Sequence, residues 1–181
     1  MASWASDLLD CDRCDRIFVA GAGSHAGKST VCLGVLAHCV ERYGAARVAY
    51  IKPATQDERP DAVARWCAAH GVAHVAGERA PIVYYAGFTR AFLDGVAGAS
   101  ADWLDAAEAA VAAIGRGKRV VVVDGVGFAA VGSVCGTSNA DVAARLRAAP
   151  ASDEGPFPNT FAQARRSSSS PRAASAARST P

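Results

Sequence analysis

The chain has 181 residues, 51% of them hydrophobic, and a formal net charge of +2. That length supports one α/β domain with a sizeable core, and the near-neutral charge, with Arg and Lys spread along the chain, gives no electrostatic case for nucleic acid. No apolar run approaches the roughly 18 residues of a membrane span, and the N-terminal MASWASDLLDCDRCDR has acidic residues where a leader needs an apolar core, so a soluble, cytoplasmic protein is expected.

Residues 1–15 read as an N-terminal extension, followed by one domain over 16–149. Cys11 and Cys14 form one C-x-x-C, but no second ligand pair is spaced to complete a zinc site. The six cysteines (11, 14, 32, 39, 67 and 135) read as reduced thiols, mostly buried. Arg16–Ala20 is a short apolar run ending at glycine, as a buried strand does. Lys28–Arg42 predicts a helix with Val31, Cys32, Val35, Leu36, Cys39 and Val40 on one face and a stop at Gly44.

Arg47–Ile51 reads as the next strand, halted by Lys52-Pro53, and Asp61–His70 as a helix closed by Gly71. Ile82–Tyr85 suggests a strand, Thr89–Asp94 a helical turn, and Ala101–Ile114 an alanine-rich helix. RVVVVD at 119–124 is β-branched and unbroken, which marks a buried strand. A glycine-rich loop covers 125–137, then Ser138 or Asn139 could cap a helix over 140–148. Strands alternating with helices imply a parallel sheet with helices on both faces. From about Pro150 the chain turns rich in Ser, Arg, Ala and Pro with no apolar period, so 150–181 is expected to be a disordered tail.

The chemistry concentrates in FVAGAGSHAGKST, residues 18–30. A phosphate loop needs a strand to deliver it, amides curled around the anion and a helix N-terminus behind. Gly21, Gly23, Ser24, His25, Ala26 and Gly27 would form that loop, and Ser29 and Thr30 would open the helix. In this reading Lys28 reaches the β- and γ-phosphates of ATP and the Ser29 hydroxyl ligates Mg²⁺. The strict pattern G-x-x-x-x-G-K-[ST] is missed by one residue, because the first glycine is Gly21 and position 22 is Ala.

Asp124 ends a buried strand on the edge where parallel sheets place ligands, a usual Mg²⁺ position. Lys52 also stands at a strand's C-terminal end, and its strand is expected next to that of the phosphate loop. Asp57, Glu58 and Asp61 follow and are equivalent candidates for a further Mg²⁺ contact. His38, His70 and His74 lack metal-like spacing and suggest structural roles; Ser133 and Cys135 have no identifiable base. The loop 132–137 could close over a substrate.

The arrangement G-x-x-[ST]-x-x-G-K-[ST], carried by Gly21, Ser24, Gly27, Lys28 and Ser29, resembles the loop of the dethiobiotin synthetase group of P-loop proteins, which includes the nucleotide domains of cobyrinic and cobyric acid synthases. Tyr50-Ile51-Lys52-Pro53 is similar to the group's hydrophobic-Lys-Pro segment, whose lysine helps hold the reacting carbamate and the γ-phosphate. VVVVDGVG at 120–127 resembles its later strand, whose acidic end helps hold Mg²⁺. The resemblance covers roughly residues 16–148 and implies catalytic roles for Lys28 and Lys52, metal contacts from Ser29 and Asp124, and a homodimer.

Three positions depart from the group. Ala22 stands where partitioning-ATPase relatives carry an additional lysine, Asp124 where synthetases usually have Glu, and His25 where they often have an acidic residue. Members also continue with further strands, so an incomplete sheet is expected here, from a splice variant or a change of reading frame near Ala148. The implied activity is an ATP- and Mg²⁺-dependent ligase that phosphorylates a carbamate or carboxylate and then closes a ring or forms an amide. The alternatives are a nucleotide-binding regulatory module without ligase chemistry and an inactive truncated product.

Overall fold

In a computed structural model, the described residues are 14–23, 26–56, 59 and 61–148. The expected tail at 150–181 and most of the N-terminal extension lie outside them. The chain runs β1 (Asp15–Val19), α1 (Lys28–Tyr43), β2 (Val48–Ile51), β3 (Ala54–Thr55), α2 (Ala62–Ala69), β4 (Ala73–Val75), β5 (Ile82–Val83), α3 (Phe88–Leu93), α4 (Ser100–Gly115), β6 (Val120–Asp124) and α5 (Asn139–Ala148). β1, β6, β2 and β4 form one sheet in that order, every pair parallel, and β3 pairs with β5 in a second, two-stranded sheet.

This order corrects one expectation. The strand leading to Lys52 is not beside the strand leading to the phosphate loop; β6 lies between them. β6 is four valines and an aspartate, and all five residues are buried. A strand apolar on both faces is most stable in the middle of a sheet with helices above and below. β1 is more polar and half-buried, and among the described residues it has a strand on one side only.

The pleat sends alternate residues to opposite faces. Val48 and Tyr50 of β2, with Val120 and Val122 of β6, pack against Cys32, Leu36 and Cys39 of α1 and Val63, Ala64 and Cys67 of α2. Ala49 and Ile51, with Val121 and Val123, pack against Ala107 and Val111 of α4 and Val142 and Leu146 of α5. Helices therefore cover both faces. At about 25 cal/mol per Å² of apolar surface, these two layers are the main stabilising contribution to the fold.

The helix limits follow local chemistry. Gly44 ends α1 at φ 81°, a conformation costly for any residue with a Cβ. Asp61 caps α2, its Oδ1 accepting from the Ala64 amide at 2.9 Å. Ser138 caps α5 in a reciprocal pair: its amide donates to the Asp141 carboxylate at 2.9 Å and its hydroxyl oxygen faces the Asp141 amide at 3.4 Å. Between the two candidates for that cap, the structure selects Ser138.

Some elements differ from the sequence reading. Val31 is not on the buried face of α1 but 52% exposed, because the stripe centres on Cys32, Leu36 and Cys39. Pro53 does not end the extended chain; it resumes at once as β3. β4, three residues long, carries too short a period to read from sequence.

Candidate functional site

The parallel strands bring their C-terminal ends to one edge. β1 delivers the loop 20–27 there, and α1 leaves from it. Gly27 adopts φ 76°, the left-handed region where glycine alone has no steric penalty. No side chain caps α1, its first turn has no acidic residue, and the first backbone bond of this turn is from Val31 N–H to Gly27 C=O at 3.1 Å. The amides of Lys28, Ser29 and Thr30 precede it, as the unbonded donors of a helix N-terminus do, and with the helix dipole they favour an anion there.

Gly21 is held by a close approach: a Cβ there would stand 3.3 Å from the carbonyl oxygens of both Gly127 and Gly23. The phosphate loop thus packs against the loop that follows β6. Ala26 donates to Gly23 C=O at 3.4 Å, curling the loop's second half. Ser29 and Thr30 are exposed at the start of α1. Ser24 and His25 lie outside the described residues.

Period two decides what faces this loop. Asp124 is two residues beyond Val122, so its side chain is on the α1 face, wholly buried. Lys28 opens α1 and forms an ion pair with Asp124 Oδ1. Tyr50, in register with Val122, reaches forward one level and donates its hydroxyl to Asp124 Oδ2 at 2.8 Å. One turn along α1, the buried Cys32 thiol lies within the field of the Asp124 carboxylate. Burial and the Asp124 charge push that thiol up to about 12, so it stays protonated at neutral pH. They push the Tyr50 phenol up as well, keeping it a donor.

Lys52 follows Tyr50 by two and returns to the same face. Its ammonium binds Asp61 Oδ2 at 3.0 Å, and the Tyr50 hydroxyl lies 3.4 Å from that oxygen. Burial alone would raise the Asp61 carboxyl, but the Ala64 amide and the Lys52 ammonium outweigh it and hold the acid below its usual range. Lys28, Asp124, Tyr50, Asp61 and Lys52 therefore form one chain of charge-assisted contacts along the sheet edge.

The sequence marked Lys28, Ser29, Asp124 and Lys52, and the fold gathers Lys28, Asp124 and Lys52 into this chain. Of the three acidic candidates after Lys52, Asp61 joins it; Asp57 and Glu58 lie outside the described residues. Tyr50 was not singled out by itself. Its signal was a hydroxyl-bearing residue on the same strand face as Lys52, among valine, alanine and isoleucine.

The donor set suits Mg²⁺. Among the described residues no three His, Cys, Asp or Glu side chains converge into a cage. Two carboxylates and a serine hydroxyl on the edge are the sparse, hard-oxygen set that Mg²⁺ takes when phosphate oxygens and water complete its shell.

A second feature is formed by the loops after β5 and β6. A cavity of about 530 Å³ is lined by Tyr84, Tyr85, Phe88 and Arg90 on one side and by Val131 and Val134 on the other. The Tyr84 hydroxyl donates to Thr137 C=O at 2.8 Å, and a Cβ on Gly132 would meet that hydroxyl at 2.4 Å. The loop 132–137 is therefore tied down as a wall, with Cys135 and Thr137 buried. The histidines are engaged locally: His70 stacks on Trp66 and its Nδ1 lies 2.8 Å from Trp66 C=O, and His74 Nδ1 lies 3.1 Å from Val72 C=O. No helix among the described residues is long and apolar enough to cross a membrane.

A family model described as an AAA domain (AAA_26) matches residues 15–149. No significant match is found among curated proteins or among solved structures.

Proposed function

The chain belongs to that AAA domain family, a P-loop NTPase family with dethiobiotin synthetase-like members, and from its nucleotide-binding loop we propose that it is an ATP- and Mg²⁺-dependent ligase-like enzyme. The observation that carries this reading is the second lysine: Lys52 stands on the same sheet edge as Lys28, linked to it through Asp61, Tyr50 and Asp124. Hydrolysis of a nucleotide alone needs the loop lysine and a metal-binding acid. A second cation at that edge suits an acceptor oxygen that must approach the γ-phosphate against charge repulsion.

In this reading the loop amides from Gly21 to Gly27 and the first turn of α1 hold the phosphates. Lys28 exchanges Asp124 for the β- and γ-phosphate oxygens, and Ser29 and Asp124, with Asp61, are the ligands for Mg²⁺. When bound, that ion neutralises phosphate charge and orients the γ-phosphoryl group. Lys52 holds a carbamate or carboxylate, whose oxygen attacks the γ-phosphorus as ADP departs. An amine then attacks the activated carbon and phosphate leaves, closing a ring or forming an amide. The aromatic-walled cavity beside Tyr85 and Val134 suits the apolar body of such a small-molecule substrate.

The test is ADP release with 7,8-diaminononanoate and bicarbonate. Substrate-dependent ADP formation is expected, and it should be lost in Lys52→Ala while ATP binding is kept. ATP binding with no turnover on this or a carboxylate-plus-amine substrate would reject the ligase reading in favour of a nucleotide-binding module. Absence of ATP binding would reject both.

A further inference from the structure

Tyr50 is 0% exposed, yet its hydroxyl is spent at the floor of the candidate site and not on the core around it. Resting on the nucleotide and Mg²⁺ reading above, we propose that Tyr50 is a positioning residue: its hydroxyl, bonded to Asp124 and standing beside Asp61, holds the Asp124 carboxylate in the orientation from which it and Asp61 serve one Mg²⁺–nucleotide.

A phenol has a single proton to donate. Both oxygens near it belong to carboxylates, Asp124 Oδ2 at 2.8 Å and Asp61 Oδ2 at 3.4 Å. The shorter distance is a full hydrogen bond and the longer one is at its limit, so Asp124 takes the proton. This bond comes from beneath and occupies the inner oxygen. The outer one, Oδ1, is left towards Lys28 and the start of α1.

Asp61 is fixed from its own side by two bonds, Ala64 N–H to Oδ1 at 2.9 Å and Lys52 to Oδ2 at 3.0 Å. Asp61 belongs to the cap of α2 and Asp124 to the end of β6, so nothing in the backbone ties their separation directly. Tyr50 reaches both, bonded to Asp124 and 3.4 Å from Asp61. A residue needed only to fill the α1–α2 layer could be phenylalanine, since the ring supplies the packing and the buried hydroxyl adds a desolvation cost. Groups that hydrogen-bond to a metal's ligands orient those ligands, and losing them typically weakens metal binding about 10–100-fold.

The experiment compares wild type and Tyr50→Phe by the affinity for a fluorescent ATP analogue, first in EDTA and then along a Mg²⁺ titration. The variant is expected to keep its metal-free affinity within about twofold, while the Mg²⁺ concentration at half effect rises on the order of 10-fold. A purely packing role for the ring would move neither value. An unchanged Mg²⁺ midpoint in the folded variant overturns the proposal and leaves the nucleotide reading standing. No binding by wild type rejects the nucleotide reading and the proposal with it, and binding indifferent to Mg²⁺ rejects the Mg²⁺ part of that reading and the proposal with it, leaving nucleotide binding standing. If Tyr50→Phe does not fold, 3-fluorotyrosine placed at position 50 gives the second readout. Its fluorine resonance is expected to shift when Mg²⁺ is added at saturating nucleotide, and no shift overturns the proposal.

Discussion

Lys28, the first residue of the helix behind the phosphate loop, is ion-paired with Asp124, the last residue of the central strand. The lysine side chain is 10% exposed and the carboxylate fully buried, so each neutralises a charge that neither could hold alone in that place. The pair has one consequence for the fold and another for ligand binding. On the proposed reading, nucleotide binding would exchange partners, Lys28 leaving the carboxylate for phosphate oxygens and a cation taking its place.

Lys28→Ala should therefore destabilise the protein as well as abolish ATP binding. Removing one partner of a buried pair leaves the other uncompensated, a cost of about 3–5 kcal/mol. The double variant Lys28→Ala with Asp124→Asn should lose clearly less stability than the single one, and neither should bind ATP. Urea unfolding of both variants, with ATP affinity by calorimetry, checks this. Unchanged ATP affinity in Lys28→Ala would remove the lysine from the site.

Asp61 has two duties that substitution can separate. Asparagine caps a helix as well as aspartate does, whereas alanine forfeits about 1 kcal/mol. Asp61→Asn should keep the cap of α2 but lose the charge that holds Lys52 and that the proposed reading gives to Mg²⁺, whereas Asp61→Ala should lose both. Thermal melts compared with Mg²⁺-dependent nucleotide affinity distinguish the two variants; equal melts for both would take the capping role from Asp61.

The loop after β6 hangs on one side chain. Asn139 accepts from the Val126 amide at 2.8 Å and donates to the Val126 carbonyl at 2.9 Å. A Cβ on Gly125 would stand 2.5 Å from that same Oδ1 and 3.1 Å from Phe18. Asn139→Ala should cost about 1–3 kcal/mol for two lost hydrogen bonds. Gly125→Ala should be destabilising by itself and less so in the Asn139→Ala background. Chemical unfolding of the four proteins measures that coupling, and strict additivity would count against the clamp.

The lowered pKa of Asp61 fixes the sign of a pH effect. Its charged form is favoured by folding, so its contribution is present above the unfolded carboxyl value of about 3.9 and is lost as pH falls through the lower, folded value. Acid unfolding followed below pH 4 should be shallower in Asp61→Asn than in wild type. Parallel curves would mean that Asp61 gains no charge-dependent stability from Ala64 and Lys52.

Much of this was legible because the signals are local. Gly21 to Lys28 carries its own backbone and charge requirements, and VVVVD declares a strand buried on both sides. The cap at Asp61 is also a local pattern, yet with Asp57 and Glu58 beside it the sequence offered no reason to prefer it as a ligand. Tyr50 resembled core packing, because a tyrosine among valine, alanine and isoleucine satisfies the strand pattern whatever its hydroxyl does. The loop 132–137 read as a flap, and the bond from Tyr84, 53 residues away, makes it a wall.

By itself the sequence determined the phosphate loop, the alternation of strands and helices and the buried character of the strand at 120–124. Each depends on neighbours within a few residues and on the apolar period. Strand order belonged to the tertiary structure. Setting β6 between β1 and β2 puts Asp124 between the phosphate loop and Lys52, within reach of both Lys28 and Tyr50. No local period encodes that order, because it follows from which strand is apolar enough to be covered on both faces. The contacts it creates join residues far apart in the chain, the pair of Lys28 and Asp124 being 96 positions apart.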